Sequence, residues 1–278
     1  MDDARAMPGV MPTVFVSHGA PTLAIEEGPA RTFLLELASH LPRPRAILCV
    51  SAHWDSAIPA ASGAPWPETI HDFFGFPEAL YQLRYQAPGS PELAARAMAL
   101  LLEAGIEGIC DSLRGIDHGA WVPLRLAYPD AQIPVVQISV QSRLDARHHL
   151  ALGRALRPLR EEGVLILGSG GATHNLRDFA GQPADTPPYD YAREFDDWLR
   201  DALLDGREAD VLDYLRRGPQ ALRNHPTAEH FLPLVVPLGA ATDDDEPRAL
   251  YQGIEYGMLS MAAYGWFPPG TGTPGRQP

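Results

Sequence analysis

The sequence predicts a single α/β domain with a mostly parallel central sheet flanked by helices, and three observations predict it. Short apolar, β-rich runs alternate with helix-like stretches along most of the 278 residues, with no shift of composition to mark a second domain. Hydrophobic residues make up 45%, enough for a substantial core. Three of the apolar runs also lead into a histidine: Thr13 to Ser17 before His18, Ala46 to Ser51 before His53, and Val164 to Leu167 before a glycine-rich stretch ending at His174. Carboxyl ends of strands in open α/β sheets face the ligand crevice. Imidazoles arriving there in this way predict a metal site at the strand carboxyl ends.

Taken in order, the first strand runs from Thr13 and is followed by a loop over residues 19–28. Pro29 suits the first turn of a helix carrying Phe33, Leu34 and Leu37, which Pro42 and Pro44 stop. The run from Ala46 completes a β-α-β unit whose crossover length suits a parallel pair. From Trp54 to Pro88 periodicity is lost and aromatic residues crowd together, as a lid or substrate wall would have them and as a packed surface loop equally would. His71, alone in that loop, carries no assignment. Ser90 and Pro91 open a helix that Gly105 ends, and Ile106 to Leu113 reads as a strand. His118 is expected in a tight loop, before a helix near Val122 to Tyr128 with Pro123 in its first turn. Ile133 to Val140 is a strand and Asp145 to Arg160 a helix, with His148 and His149 expected on solvated faces.

Beyond His174, residues 181–188 form a loop, Tyr191 to Leu204 has helical spacing, and Ala209 to Arg217 is a short charged helix. Thr227 is expected to cap an apolar helix that holds His230 in its first turn and runs through Leu238. A histidine opening a buried helix needs a polar partner or a metal. Asp243 to Glu246 reads as an acidic, solvated loop and Tyr251 to Leu259 as the last strand.

A net charge of −13 with no basic run repels nucleic acid and anionic lipid, so neither is expected as a partner. Cys49 and Cys110 fall in strand-like runs and read as small buried residues, which points to the cytoplasm. Residues 1–11 lack the pattern of a secretory signal, and no apolar run reaches membrane-span length. The domain is expected over 11–267, with flexible termini at 1–10 and 268–278, as a monomer or homodimer.

Five motifs, in order, carry a resemblance: His18-Gly19-Ala20-Pro21, Ser51-Ala52-His53-Trp54, Asp117-His118-Gly119-Ala120-Trp121, Gly168 to Leu176 around His174, and Glu229-His230-Phe231-Leu232-Pro233-Leu234. Together they resemble the class III extradiol ring-cleavage dioxygenases, and within them the DOPA 4,5-dioxygenase-like branch. The resemblance implies that His18 and His53 bind the metal. It implies that His174 is the base and acid beside the open coordination positions, able to act as a fourth ligand at rest, and that His118 contacts substrate or oxygen. Where protocatechuate-type members carry a glutamate ligand, nine residues before a Gly-Ala pair, His230 stands before Gly239 and Ala240.

Such an enzyme opens a catechol ring with both atoms of O2 at a non-haem Fe(II), and Zn(II) could occupy the same histidines in purified protein. Glu229 rivals His230 as the third ligand, because neighbours on a helix point about 100° apart and both should not bind one ion. His225 is a residue behind the ligands or beside the substrate, and Arg177 could meet a substrate carboxylate. The competing readings are a zinc hydrolase using the same histidines, and a non-enzymatic interaction protein on the same scaffold.

Overall fold

The computed structural model describes residues 9–271. The termini expected to be flexible, 1–10 and 268–278, lie for the most part outside the described residues.

The strands are β1 (Thr13–Ser17), β2 (Ala46–Asp55), β3 (Ala60–Ser62), β4 (Ile109–Asp111), β5 (Val135–Val140), β6 (Val164–Gly170), β7 (Glu246–Tyr251), β8 (Ile254–Glu255), β9 (Leu259–Ser260) and β10 (Ala263–Phe267). The helices are α1 (Pro29–Glu36), α2 (Glu78–Tyr81), α3 (Pro91–Glu103), α4 (His118–Ala127), α5 (Ala146–Leu156), α6 (Asp190–Leu204), α7 (Glu208–Leu212), α8 (Tyr214–Arg217), α9 (Ala221–Asn224) and α10 (Leu232–Ala240). An eight-stranded sheet has the order β4-β3-β5-β2-β6-β1-β10-β7, and β8 and β9 form a separate ribbon. Its centre, β5-β2-β6-β1, is parallel throughout, while β3 meets β5, and β10 meets β1 and β7, in antiparallel sense. The mostly parallel α/β architecture is therefore the one the apolar runs predict.

Alternation along the strands explains the layering. Val14, Val16, Ile47, Cys49, Leu165 and Leu167 face one core with α1 and α4, whereas Phe15, Leu48, Val50 and Ile166 face the other with α3, α5, α6 and α10. Both faces of the central strands are covered, which is why these strands read as continuous apolar runs.

Several expectations need correction. The strands β1 and β2 do not pair with each other, because β6 lies between them and pairs in parallel with both. The helix α4 begins at His118, since Asp117 caps it by accepting the Ala120 N–H; Pro123 consequently lies inside it. Thr227 caps nothing: its hydroxyl donates to Glu229 Oε1, and α10 starts at Leu232, which leaves His230 in the turn before the helix. His149 is buried, its Nδ1–H donating to Asp145 O and its Nε2 accepting from Gln141 N, so it is a satisfied core residue. Cys110 is exposed on the edge strand β4, unlike Cys49.

The acidic loop is not wholly solvated either, because Asp245 is buried in a two-oxygen ion pair with Arg160 at 2.7 and 2.9 Å. The expected last strand at Tyr251 to Leu259 resolves into the end of β7, β8 and the start of β9, and the true last strand is β10, next to the parallel centre. Among the described residues no helix is long and apolar enough to cross a membrane.

Candidate metal centre

Parallel β1, β2 and β6 end on the same side of the sheet, and each delivers one of the singled-out histidines there. His18 follows β1 directly, and its N–H donates to Gly170 O of β6 at 3.0 Å. His53 lies inside β2, where the register with β5 jumps from Ser51 opposite Ser139 to Asp55 opposite Val140. The extra residues bulge, and a bulge re-aims the side chain it carries. His174 follows β6, with its N–H held by Asn224 O at 2.9 Å. His230 arrives from the opposite direction, with its carbonyl accepting the Gly171 N–H at 2.9 Å.

That last approach explains the glycines at the end of β6. A Cβ on Gly170 would lie 2.1 Å from His230 O, and one on Gly168 2.0 Å from Pro233 O. These glycines clear room for the turn bearing His230.

One nitrogen each of His18, His53 and His230 converges, all within 4.8 Å of one another. The protons on the far sides of these rings are fixed by their partners. Ser169 Oγ donates to Gly119 O, so it accepts from His18 Nδ1–H at 3.1 Å. His53 Nδ1 faces Asp72 Oδ2 at 3.3 Å, and His230 Nδ1 donates to Glu229 Oε1 at 3.1 Å. With its proton on Nδ1, each ring presents a lone pair on Nε2. Those of His18 and His53 face each other at 3.0 Å, and that of His230 is buried with no hydrogen-bond partner. Lone pairs brought together in a buried place repel unless a cation lies among them. The donor set fits a divalent metal bound by imidazole, and its outer partners are those that metal-binding histidines need. Glu229 holds His230 by its Nδ1 and so orients the ring.

Charge logic agrees. Burial, then the neighbouring histidines, push His18 and His230 well below the ordinary imidazole value. Burial and then His118 take His53 down to about 3, so all three are neutral, as ligands must be.

The remaining histidines surround this set. His118 stands at the first residue of α4, with its ring centroid 3.9 Å from that of His53. Its Nδ1 lies 3.0 Å from Asp72 Oδ1, at an angle short of a good hydrogen bond, and the same oxygen accepts the His118 backbone N–H at 3.0 Å. His174 stacks flat on His230, with centroids 3.4 Å apart; it lies outside the set of His18, His53 and His230 but forms a second group with Glu229 and His230, their ligand atoms within 4.8 Å of one another. Burial lowers it to about 4 against the upward pull of Glu229, so it too is neutral near pH 7. His225 lies behind, buried, with Nε2 on Ala172 O at 2.9 Å.

His18, His53, His118, His174 and His230 all line one cavity of about 470 Å³, walled by Phe73, Phe76, Leu176, Phe179, Tyr256 and Met261. Phe73 and Phe76 come from the aromatic loop, which thus supplies part of the cavity wall. Arg177 is exposed and does not line the cavity. His71 does not either: it binds Leu83 O. Sequence reasoning missed Asp72, which faces His53 and His118, and Ser169, which meets His18 Nδ1; neither sits in a pattern that marks such contacts.

A sheet whose parallel centre gathers neutral imidazoles at the floor of an aromatic-walled cavity has the donor set of a metal-dependent enzyme. The chain belongs to the family described as the catalytic LigB subunit of aromatic ring-opening dioxygenase, whose model matches residues 12–265. Within it the chain is a class III extradiol dioxygenase of the DOPA 4,5-dioxygenase-like kind. It is 44% identical over 261 residues to 4,5-DOPA dioxygenase extradiol of Beta vulgaris, covering 91% of this chain and 95% of that one. With the enzyme of the same name from Escherichia coli K12 it shares 40% over 255 residues, 90% and 93% of the two chains. The crystal structure of an uncharacterized protein from Escherichia coli K12 superposes with a TM-score of 0.75 at 34% identity, covering 92% of this chain and 99% of that one.

Proposed function

We propose that this extradiol dioxygenase opens the ring of a catechol bearing an amino-acid-like tail, at an Fe(II) held by His18, His53 and His230. The relatives named for 4,5-DOPA support the substrate class. The observation that carries the site assignment is the convergence of one nitrogen each of His18, His53 and His230, with His230 Nε2 buried and unpartnered, at the floor of a cavity sized for one substituted aromatic ring. Bound there, the iron supplies the redox link between the diol ring and dioxygen. Zn(II), redox-silent, suits the same donors and is the metal expected in protein purified without added iron.

The protein's own part is binding, shielding and proton handling. Three neutral imidazoles cancel none of a metal's 2+ charge, so the site favours an anionic catecholate. Phe73, Phe76 and Phe179 flank the ring and keep out water. His174, neutral at pH 7 and open to the cavity, takes the proton that a catechol hydroxyl loses and returns it when the ring opens. His118, on the other side of His53, hydrogen-bonds the substrate hydroxyl or the incoming oxygen.

The test is anaerobic reconstitution with Fe(II), followed by oxygen and a panel of catechols. Oxygen uptake with a yellow ring-opened product is expected for iron-loaded protein and not for zinc-loaded protein. Zinc-dependent ester or amide hydrolysis without oxygen uptake would overturn the reading. His174→Ala should keep its metal, measured by elemental analysis, while turnover falls at least about a hundredfold; unchanged turnover removes His174 from the proton path.

A further inference from the structure

Asp72 touches both a proposed ligand and a proposed substrate contact. One oxygen of its carboxylate faces His53 Nδ1 at 3.3 Å, and the other lies 3.0 Å from both Nδ1 and the backbone N of His118. The backbone just before Asp72 is bonded to the segment that leads into α4. Ile70 N–H donates to Ile116 O at 2.8 Å, Ile116 N–H donates to Glu68 O at 2.7 Å, and Trp121 Nε1–H donates to Ile70 O at 2.9 Å. This stitching fixes the segment that carries Asp72 against the start of α4.

We infer that Asp72 is a positioning residue that sets two imidazoles at once, holding the proton of both His53 and His118 on Nδ1. The inference rests on the assignment of His53 as a metal ligand. An ionised carboxylate has only acceptors and a negative charge, so ring nitrogens 3.0 and 3.3 Å from it are favoured as N–H, by charge even at His118, whose angle falls short of a hydrogen bond. The consequence for His53 is a lone pair on Nε2, directed at the convergence point with His18. For His118 it is a ring held in one tautomer and one orientation at the cavity wall. The aromatic loop thereby becomes part of the metal centre, because Asp72 immediately precedes the cavity-lining Phe73.

An amide at this position keeps the shape and removes the symmetry of demand: it offers one acceptor and one donor, so one of the two imidazoles loses its reason to carry the Nδ1 proton. The experiment compares wild type, Asp72→Asn, Asp72→Ala and His71→Ala, the last disturbing the same loop without touching the site. Long-range ¹H–¹⁵N spectra of the histidine rings in metal-free protein should show His53 and His118 as Nδ1–H tautomers in wild type and His71→Ala. In both Asp72 variants at least one of the two should shift to a mixture. Zinc affinity, by competition with a chromophoric chelator, should fall about 10- to 100-fold in the Asp72 variants and stay within about twofold in His71→Ala.

At saturating Fe(II), kcat should fall in Asp72→Asn with KM changed less. Unaltered tautomers, zinc affinity within twofold of wild type, unaltered kcat, or an equal loss in His71→Ala each overturns the inference. Wild type that neither binds zinc nor cleaves any catechol would instead overturn the proposed function, while the ring spectra would still report on Asp72.

Discussion

At the scale of single residues, each converging imidazole faces an oxygen on its far side, and removing such an oxygen should weaken metal binding. Ser169→Ala leaves His18 Nδ1–H buried without its acceptor. The expected result is a loss of about 1–3 kcal/mol in unfolding free energy, seen in denaturant titration, together with roughly tenfold weaker zinc binding. A variant of normal zinc affinity would show that Ser169 packs but does not orient.

His149, away from the metal site, reports the same chemistry through pH. Burial, outweighing the hydrogen bond to Asp145 O, lowers it to about 4, so between pH 6.5 and 4 the unfolded chain binds its proton and the folded chain does not. Its contribution is fully present above pH 6.5 and is lost as pH falls toward 4, by about 3 kcal/mol for a shift of this size. Unfolding free energy measured from pH 7 to pH 4.5 should therefore fall less steeply in His149→Gln than in wild type, whatever the offset between them at pH 7.

At the scale of elements, the close approach of α10 to β6 fixes where His230 stands. Gly170→Ala would drive a Cβ against His230 O, a backbone atom that cannot rotate away. Either the turn moves outward or the strand does. Overpacking of this kind costs about 1–3 kcal/mol, and because His230 moves with the turn, metal binding should be lost in protein that still gives a near-wild-type far-UV spectrum. The same elements show what the sequence made legible. Strands β1, β2, β5 and β6 were readable because covering both faces of a parallel centre leaves long apolar runs, and with them came His18, His53 and His174.

The short β3, Ala60–Ala61–Ser62, has no bulky residue to signal it, and β10 is interrupted by Gly265 and follows two loop-like pieces of ribbon. The start of α4 was misplaced because the capping role of Asp117 is built from Ser51, Arg114 and Gln137, contacts distant in sequence or outside any cap motif. Asp72 was invisible for the same reason. Its partners, His53 and His118, lie 19 and 46 residues away, and nothing local distinguishes it from a solvated loop acid.

At the scale of the whole molecule, a net charge of −13 sets a field that disfavours anions, and away from the histidine end the cavity lining does not relieve it. Among the described residues lining that cavity there is no lysine or arginine, and the one carboxylate is Glu26, beside Thr22 and Tyr256. A catechol entering with its diol toward the histidines places its tail toward this wall of hydroxyls and negative charge. An ammonium on the tail is attracted there and a lone carboxylate is repelled, which orders the substrates: amine-bearing catechols first, neutral ones next, and those with only an acidic tail last. Glu26 is exposed, so its share of this discrimination is that of a surface charge, under about 1 kcal/mol or up to about fivefold in kcat/KM. Glu26→Gln should reduce the ratio of kcat/KM for the amine-tailed over the acid-tailed catechol by that factor at low ionic strength. The reduction should shrink as salt is added, because the interaction is screened over about 10 Å at 0.1 M. A ratio unmoved by the substitution would place the tail elsewhere in the cavity, away from Glu26.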